Sequence, residues 1–213
     1  MNSKMKSKVD NPFVLKIRKQ QQFFHRSVSC FVEEDADFQP TASMLTTAGQ
    51  ILHTAIGIEF FLSGMFGPFE GFSSMSRLKI GFPDLTWLEI AESQDPHLSL
   101  DGFLDLNFGF EIFEVSQSIA LTLDLFDKAM DTATKMFDSK TLQQIQTEVL
   151  PINPPFSSYF CTRSQILELA LDHTAHHRGS LVVYAHLLGK EPKIPYFEMS
   201  ALRTLSNSII AKT

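Results

Sequence analysis

Clustered positive charge is the first thing this chain lacks. Lys and Arg number 18 against 24 Asp and Glu, a formal net charge of −6, so there is no basic surface to neutralise nucleic-acid phosphates. Lysines gather only in the opening MNSKMKSK, at Lys4, Lys6 and Lys8, and so short a run reads as a solvated tail. Cysteine is scarce as well. Cys30 and Cys161 build no disulfide framework and suit a reducing compartment. Long apolar runs are missing too: AIGIEFFLSGMFGPF is interrupted by Glu59 and by glycines, and it falls short of the roughly 20 apolar residues that span a bilayer. No apolar segment follows the N-terminal lysines, so no signal peptide is read. The expectation is a soluble, cytoplasmic protein with neither a nucleic-acid nor a membrane partner.

What the chain does have is apolar residues in helical rhythm. At 213 residues and 44% hydrophobic it can bury a sizeable core, and one domain over 1–213, with its core at about 11–198, is the simplest organisation. Phe13, Ile17, Phe24, Val28 and Phe31 recur at helical spacing and predict a first helix over 11–32, which the acidic EEDADFQP ends. Thr47-Ala48-Gly49-Gln50 has the form of a capping box and opens a second helix to Met65, before Gly67 and Pro68. Residues 67–98 carry six glycines and prolines and read as a long crossover, with DLTWLEIAES a short helix inside it. A proline-free stretch over 100–137 predicts a third helix, and PINPPFSS closes a second connector. Thr162-Arg163-Ser164-Gln165 opens a fourth helix, which Gly189 and Pro192 end. The fold class is therefore all-α, a four-helix bundle with a long crossover loop.

The fourth helix carries LDHTAHHRGS. At about 100° per residue, His173 and His177 fall near the centre of the face formed by Ile166, Leu169, Ala170, Leu181, Tyr184, Leu187 and Leu188, whereas His176 projects to its margin and Glu168, Asp172, Arg178 and His186 take the polar side. Four residues apart, two imidazoles stand about 5–6 Å from each other at Cβ and can converge on one ion. Burying both without partners costs desolvation free energy, which a shared cation offsets. A third ligand should come from a facing helix. In ILHTAIGIEFF, His53 shares a face with Gly49, Ile56, Gly57, Phe60 and Gly64, where the glycines leave room for close packing or a small ligand. Hydrogen bonding of His53 to a neighbouring carbonyl is the alternative. His25 and His97 stand in ordinary helix and loop contexts.

These residues carry a resemblance. His53 after a Thr-capped start, His173-x-x-x-His177-Arg178-Gly179 about 120 residues on, and the ending LVVYAHLLGKEPKIPY resemble the DinB-like (YfiT-like) family of metal-dependent bacterial proteins. The likeness covers roughly residues 11 to 198, is specific at 173–179 and is weak through the Phe-rich loop over 67–98. Ser180 stands where the family commonly has Gln. The resemblance implies a four-helix bundle that holds a divalent metal on His53, His173 and His177. It further implies a low-molecular-weight thiol as co-substrate in S-transfer or isomerisation of a small molecule, and a homodimer.

The chemistry of such a site can also be argued directly. Three neutral imidazoles leave a divalent ion one open position, as in catalytic zinc sites, and water or a thiol there loses its proton near neutral pH. Zinc or nickel fits first, and iron and copper also accept imidazole. Affinity for the ion is expected to fall as pH drops through about 6, since the ligands must be neutral. HTAHH places Thr174 where an HExxH helix has its general-base Glu, which speaks against a zincin-type peptidase. Glu59, Glu111 and Glu114 are candidate bases, His176 a flanking residue, and Cys161 a packed thiol. Three classes of function stay open: a metal-dependent enzyme that activates a thiol or water, hydrolase included; a non-catalytic metal-binding or sensor bundle; and an interaction module packed by its many Phe residues.

Overall fold

In the computed structural model of the chain, residues 11–42, 44–66, 117–148 and 162–196 are described. Among them the regular structure is entirely helical: α1 (Pro12–Val28), a 3-10 turn (Glu33–Asp35), α2 (Thr47–Phe66), α3 (Ile119–Asp138), α4 (Leu142–Gln146) and α5 (Arg163–Leu187). The all-α reading holds. The expected crossover with its short helix falls on residues outside those described.

Local chemistry sets each boundary. Asn11 caps α1 through its side chain, which accepts from Phe13 N at 3.0 Å, and Pro12 takes the first turn, where a missing N–H costs nothing. The helix ends at Val28 rather than at 32. The Ser29 hydroxyl bonds the Arg26 carbonyl (2.9 Å), the Phe31 N–H closes onto Val28 O, and the buried Asp35 draws the Val32 N–H (2.7 Å) into a separate turn. α3 is not continuous from 100. Ser118 is extended (φ −129°, ψ 123°) and caps the helix, while Glu33 reaches across to accept from Ile119 N and Ala120 N at 3.0 and 2.7 Å. A carboxylate at a helix N-terminus satisfies otherwise orphaned N–H groups and complements the dipole. α4 is absent from the sequence reading, although Thr141 and Gln144 form a capping box. Thr162 and Gln165 cap α5 as expected. At its other end Gly189 (φ +70°) supports bonds from Lys190 N to Ala185 O and from Gly189 N to His186 O. This is a Schellman stop.

Four helices form the bundle, with α1 and α2 at opposite corners and each packed against α3 and α5. Phe13 meets Phe137 (ring centroids 6.3 Å) and Phe24 stacks on Phe126 (4.1 Å), so α1 and α3 are antiparallel. Lys16 pairs with Glu168 and Gln20 bonds Leu171 O, so α1 and α5 are parallel. Arg163, at the start of α5, donates to Met65 O near the end of α2, while Gln50 near the start of α2 meets Tyr184 near the end of α5. Those two helices are antiparallel. It follows that α2 and α3 are parallel neighbours, with Phe66 against Phe137 (5.3 Å), and parallel neighbours in a bundle require a crossover connection. The core between them includes Ile17, Phe24, Ile51, Leu62, Phe126, Met130, Phe137, Ile166 and Leu181.

Because α5 packs on both α1 and α2, it has two buried faces rather than one stripe. Arg178, read from the sequence as solvent-facing, is buried on the α1 side. Its guanidinium lies over the rings of Phe23 and Tyr196, which meet edge-on, and donates to Gln20 Oε1 (3.3 Å) and to the Tyr196 hydroxyl (2.8 Å). Thr174 is buried as well, with its hydroxyl on Ala170 O (2.8 Å). Leu187, assigned to the apolar face, is 60% exposed, since it lies at the very end of the helix.

Candidate metal centre

The other buried face of α5 carries the histidines to α2. His173 Nε2 stands 3.2 Å from His53 Nε2 and 3.1 Å from His177 Nε2. Among the described residues these three form a group able to hold a metal ion, with no carboxylate or thiol in it. Ligand nitrogens about 2.0–2.1 Å from a tetrahedral ion stand about 3.3 Å apart, so both observed separations suit a divalent cation at their centre. The donor set fits the ion.

Sequence places these rings by two devices. The i, i+4 spacing on α5 stacks His173 over His177, with centroids 4.5 Å apart. On α2, Gly57 provides the space for His173: a Cβ there would lie 2.5 Å from the ring's Cε1 and 2.8 Å from Nδ1. Gly49, placed in the same group of space-making glycines, serves the helix cap, its N–H bonding Thr46 Oγ1 (3.0 Å). The surroundings of Gly64 fall outside those described. Phe61 packs edge-on to His173 at 5.6 Å. His173 Nδ1 is buried with no hydrogen-bond partner.

Gln50 is not the capping-box residue its position suggested, because Thr46 rather than Thr47 caps α2. It turns inward instead. Its Oε1 is 2.7 Å from His177 Nδ1, its Nε2 donates to the Tyr184 hydroxyl (3.3 Å), and that hydroxyl donates to Leu45 O (2.9 Å). Sequence reasoning missed this residue. A polar side chain one turn before His53 on an otherwise apolar helix was the available signal.

Burial holds all three rings neutral. It lowers His173 to about 4, with His53 and then His176 adding to the shift; it lowers His177 to about 3, with His53, His173 and His176 adding; and it lowers His53, with His176 the second cause. Neutral imidazole is the form that ligates a metal. His176 itself is exposed, its ring 5.1 Å from that of His177 and at 89° to it, as helical phasing required.

The remaining candidates disperse. Glu59 is buried on α2 and stands outside the histidine group. Glu111, Glu114, Cys161 and His97 lie outside the described residues. His25 is half-exposed, 2.6 Å from Asp127, and Ser180 bonds His176 O (3.4 Å). Of the apolar residues that share the faces of these histidines, Phe60 and Leu169 are partly buried against the core, and Tyr184 is fully buried.

The DinB family model matches residues 112–204. That stretch contains His173 and His177 and leaves His53 upstream. Neither a curated protein nor a solved structure is similar enough to this chain to match it.

Proposed function

We propose that this DinB-like chain binds one divalent metal ion through His53, His173 and His177 and uses it to activate a low-molecular-weight thiol, or water, for attack on a small electrophile. The observation that carries the reading is the convergence of three half-buried imidazoles, with His173 Nε2 3.2 Å from His53 Nε2 and 3.1 Å from His177 Nε2 and no anionic ligand among them. A divalent ion held by such a set keeps its full charge, and when bound it supplies Lewis acidity that lowers the pKa of a thiol or water at its remaining position.

The chain's own residues supply the rest. Phe61 edge-on to His173 and the partly buried Phe60 and Leu169 beside the core give the α2–α5 seam an apolar character, which suits the body of an uncharged electrophile. Thr174, turned into the core with its hydroxyl bound to Ala170 O, is unavailable as a base. This speaks against a zincin-type peptidase.

The test has two stages. Metal analysis of untagged protein is expected to return close to one divalent ion per chain. Zinc- and nickel-loaded protein is then assayed with bacillithiol, mycothiol, glutathione and cysteine against activated halides and epoxides. Thiol transfer faster than with metal-free His173→Ala protein supports the proposal. Metal binding without turnover of any thiol or water reaction would leave a metal-binding bundle and overturn the catalytic part.

A further inference from the structure

The hydrogen-bond chain behind His177 has a direction that one atom decides. Leu45 O is a backbone carbonyl and can only accept, so the Tyr184 hydroxyl, 2.9 Å away, spends its proton there. Its lone pairs then face Gln50 and must be met by the amide nitrogen, at 3.3 Å. That orients the amide with Oε1 toward His177, and an oxygen at 2.7 Å from Nδ1 requires the proton to sit on Nδ1. Nε2, the atom that faces His53 and His173, is left bare.

From this we infer that Gln50, held by Tyr184, is a positioning residue that fixes His177 in the Nδ1–H tautomer and thereby presents its Nε2 lone pair to the metal before any metal arrives. The inference rests on the metal reading of the three histidines. His173 has no such device: its Nδ1 is buried against Gly57 without a partner, so its tautomer is free to change when the site fills. The site is therefore preset at one ligand and adaptable at another. Groups that hold the second nitrogen of a ligating histidine change metal affinity by about 10- to 100-fold when removed.

The tautomer is read in metal-free full-length protein at neutral pH from the ring 15N shifts of His177, and zinc affinity by competition with a chromogenic chelator. Wild-type protein is expected to show Nδ1–H at His177. Gln50→Leu, similar in volume but without an acceptor, should lose that tautomer preference and bind zinc about 10- to 100-fold more weakly. Gln50→Glu retains an oxygen for Nδ1–H and should keep both the tautomer and affinity near the wild-type value. Tyr184→Phe frees the amide to turn and should mix the tautomers. Should Gln50→Leu fail to fold, the wild-type spectrum and the Gln50→Glu comparison decide alone. An Nε2–H tautomer in wild-type protein overturns the inference. So does unchanged zinc affinity in Gln50→Leu, or Gln50→Glu failing to rescue. The tautomer is measured without metal, so it stands or falls separately from the metal reading, which fails if alanine at His53, His173 and His177 leaves zinc binding unchanged.

Discussion

Gly57→Ala should act on the proposed metal site through a single methyl group. A Cβ at that position would sit 2.5 Å from His173 Cε1 and 2.8 Å from Nδ1. Carbon contacts relax at about 3.5 Å or more, so the ring must withdraw by about 1 Å. Ligand positions in a metal site tolerate about 0.2 Å. The displacement is several times that tolerance, and His173 Nε2 can no longer share an ion with His53 and His177. Zinc affinity should therefore fall by about ten-fold or more, close to the loss from removing the ring. Stability responds differently. Alanine gains about 1 kcal/mol of helix propensity over glycine, and overpacking costs about 1–3 kcal/mol, so metal-free Gly57→Ala protein should be between neutral and about 2 kcal/mol less stable in urea denaturation. In a His173→Ala background the obstructing ring is gone, and the same change should stabilise by about 1 kcal/mol. Wild-type zinc affinity in Gly57→Ala, or an identical stability effect in the two backgrounds, would refute the packing argument.

Alanine at His53, His173 or His177 should each weaken metal binding about ten-fold or more by chelator competition, whereas His176→Ala should not; loss on His176→Ala with retention on His177→Ala would show the helix phased wrongly. The pH dependence has a definite sign. The rings titrate near 6.5 when unfolded, but folded His173 does so at about 4 and His177 at about 3, so the unfolded chain takes up protons first, and metal-free protein should lose stability as pH falls from 6.5 toward 4, seen as a falling urea midpoint. Metal release moves down with those values, from the pH near 6 expected of free imidazole toward about 4, which dialysis at graded pH followed by metal analysis would check. Arg178→Met should cost about 1.5–3 kcal/mol by removing charged hydrogen bonds to Gln20 and Tyr196, a fall in Tm of several degrees in calorimetry. Glu33→Ala should cost about 1 kcal/mol, because the start of α3 loses acceptors for Ile119 N and Ala120 N.

Local periodicity carried much of this protein on its own. The i, i+4 pairing of His173 with His177, the marginal place of His176, the capping box at Thr162 and the stop at Gly189 all depend on residues within two turns of each other, where helix geometry alone decides who is adjacent. Even so, local signals misled where a distant group competed for the same atom. Gln50 satisfied the form of a capping box but is held by His177 and Tyr184, and the helix that composition extended back to 100 begins at Ile119, where Glu33, 86 residues away, joins Ser118 in capping it. Arg178 reads as a surface residue until α1 covers it, since a single stripe of apolar residues cannot reveal that a helix has two buried neighbours.

The expected set of His53 with His173 and His177 came from the resemblance, and the tertiary structure shows how its halves meet. His53 lies 120 positions from His173 and outside the stretch that matches the family, and no periodicity connects them. The antiparallel packing of α2 on α5 sets that contact, and it is close enough because Gly57 has no side chain where the His173 ring passes. The direction of the proton on His177 was likewise invisible in sequence. It follows from Leu45 O, a backbone carbonyl that can only accept, acting through Tyr184 and Gln50, and every backbone has such carbonyls. Which one a side chain meets is decided by packing.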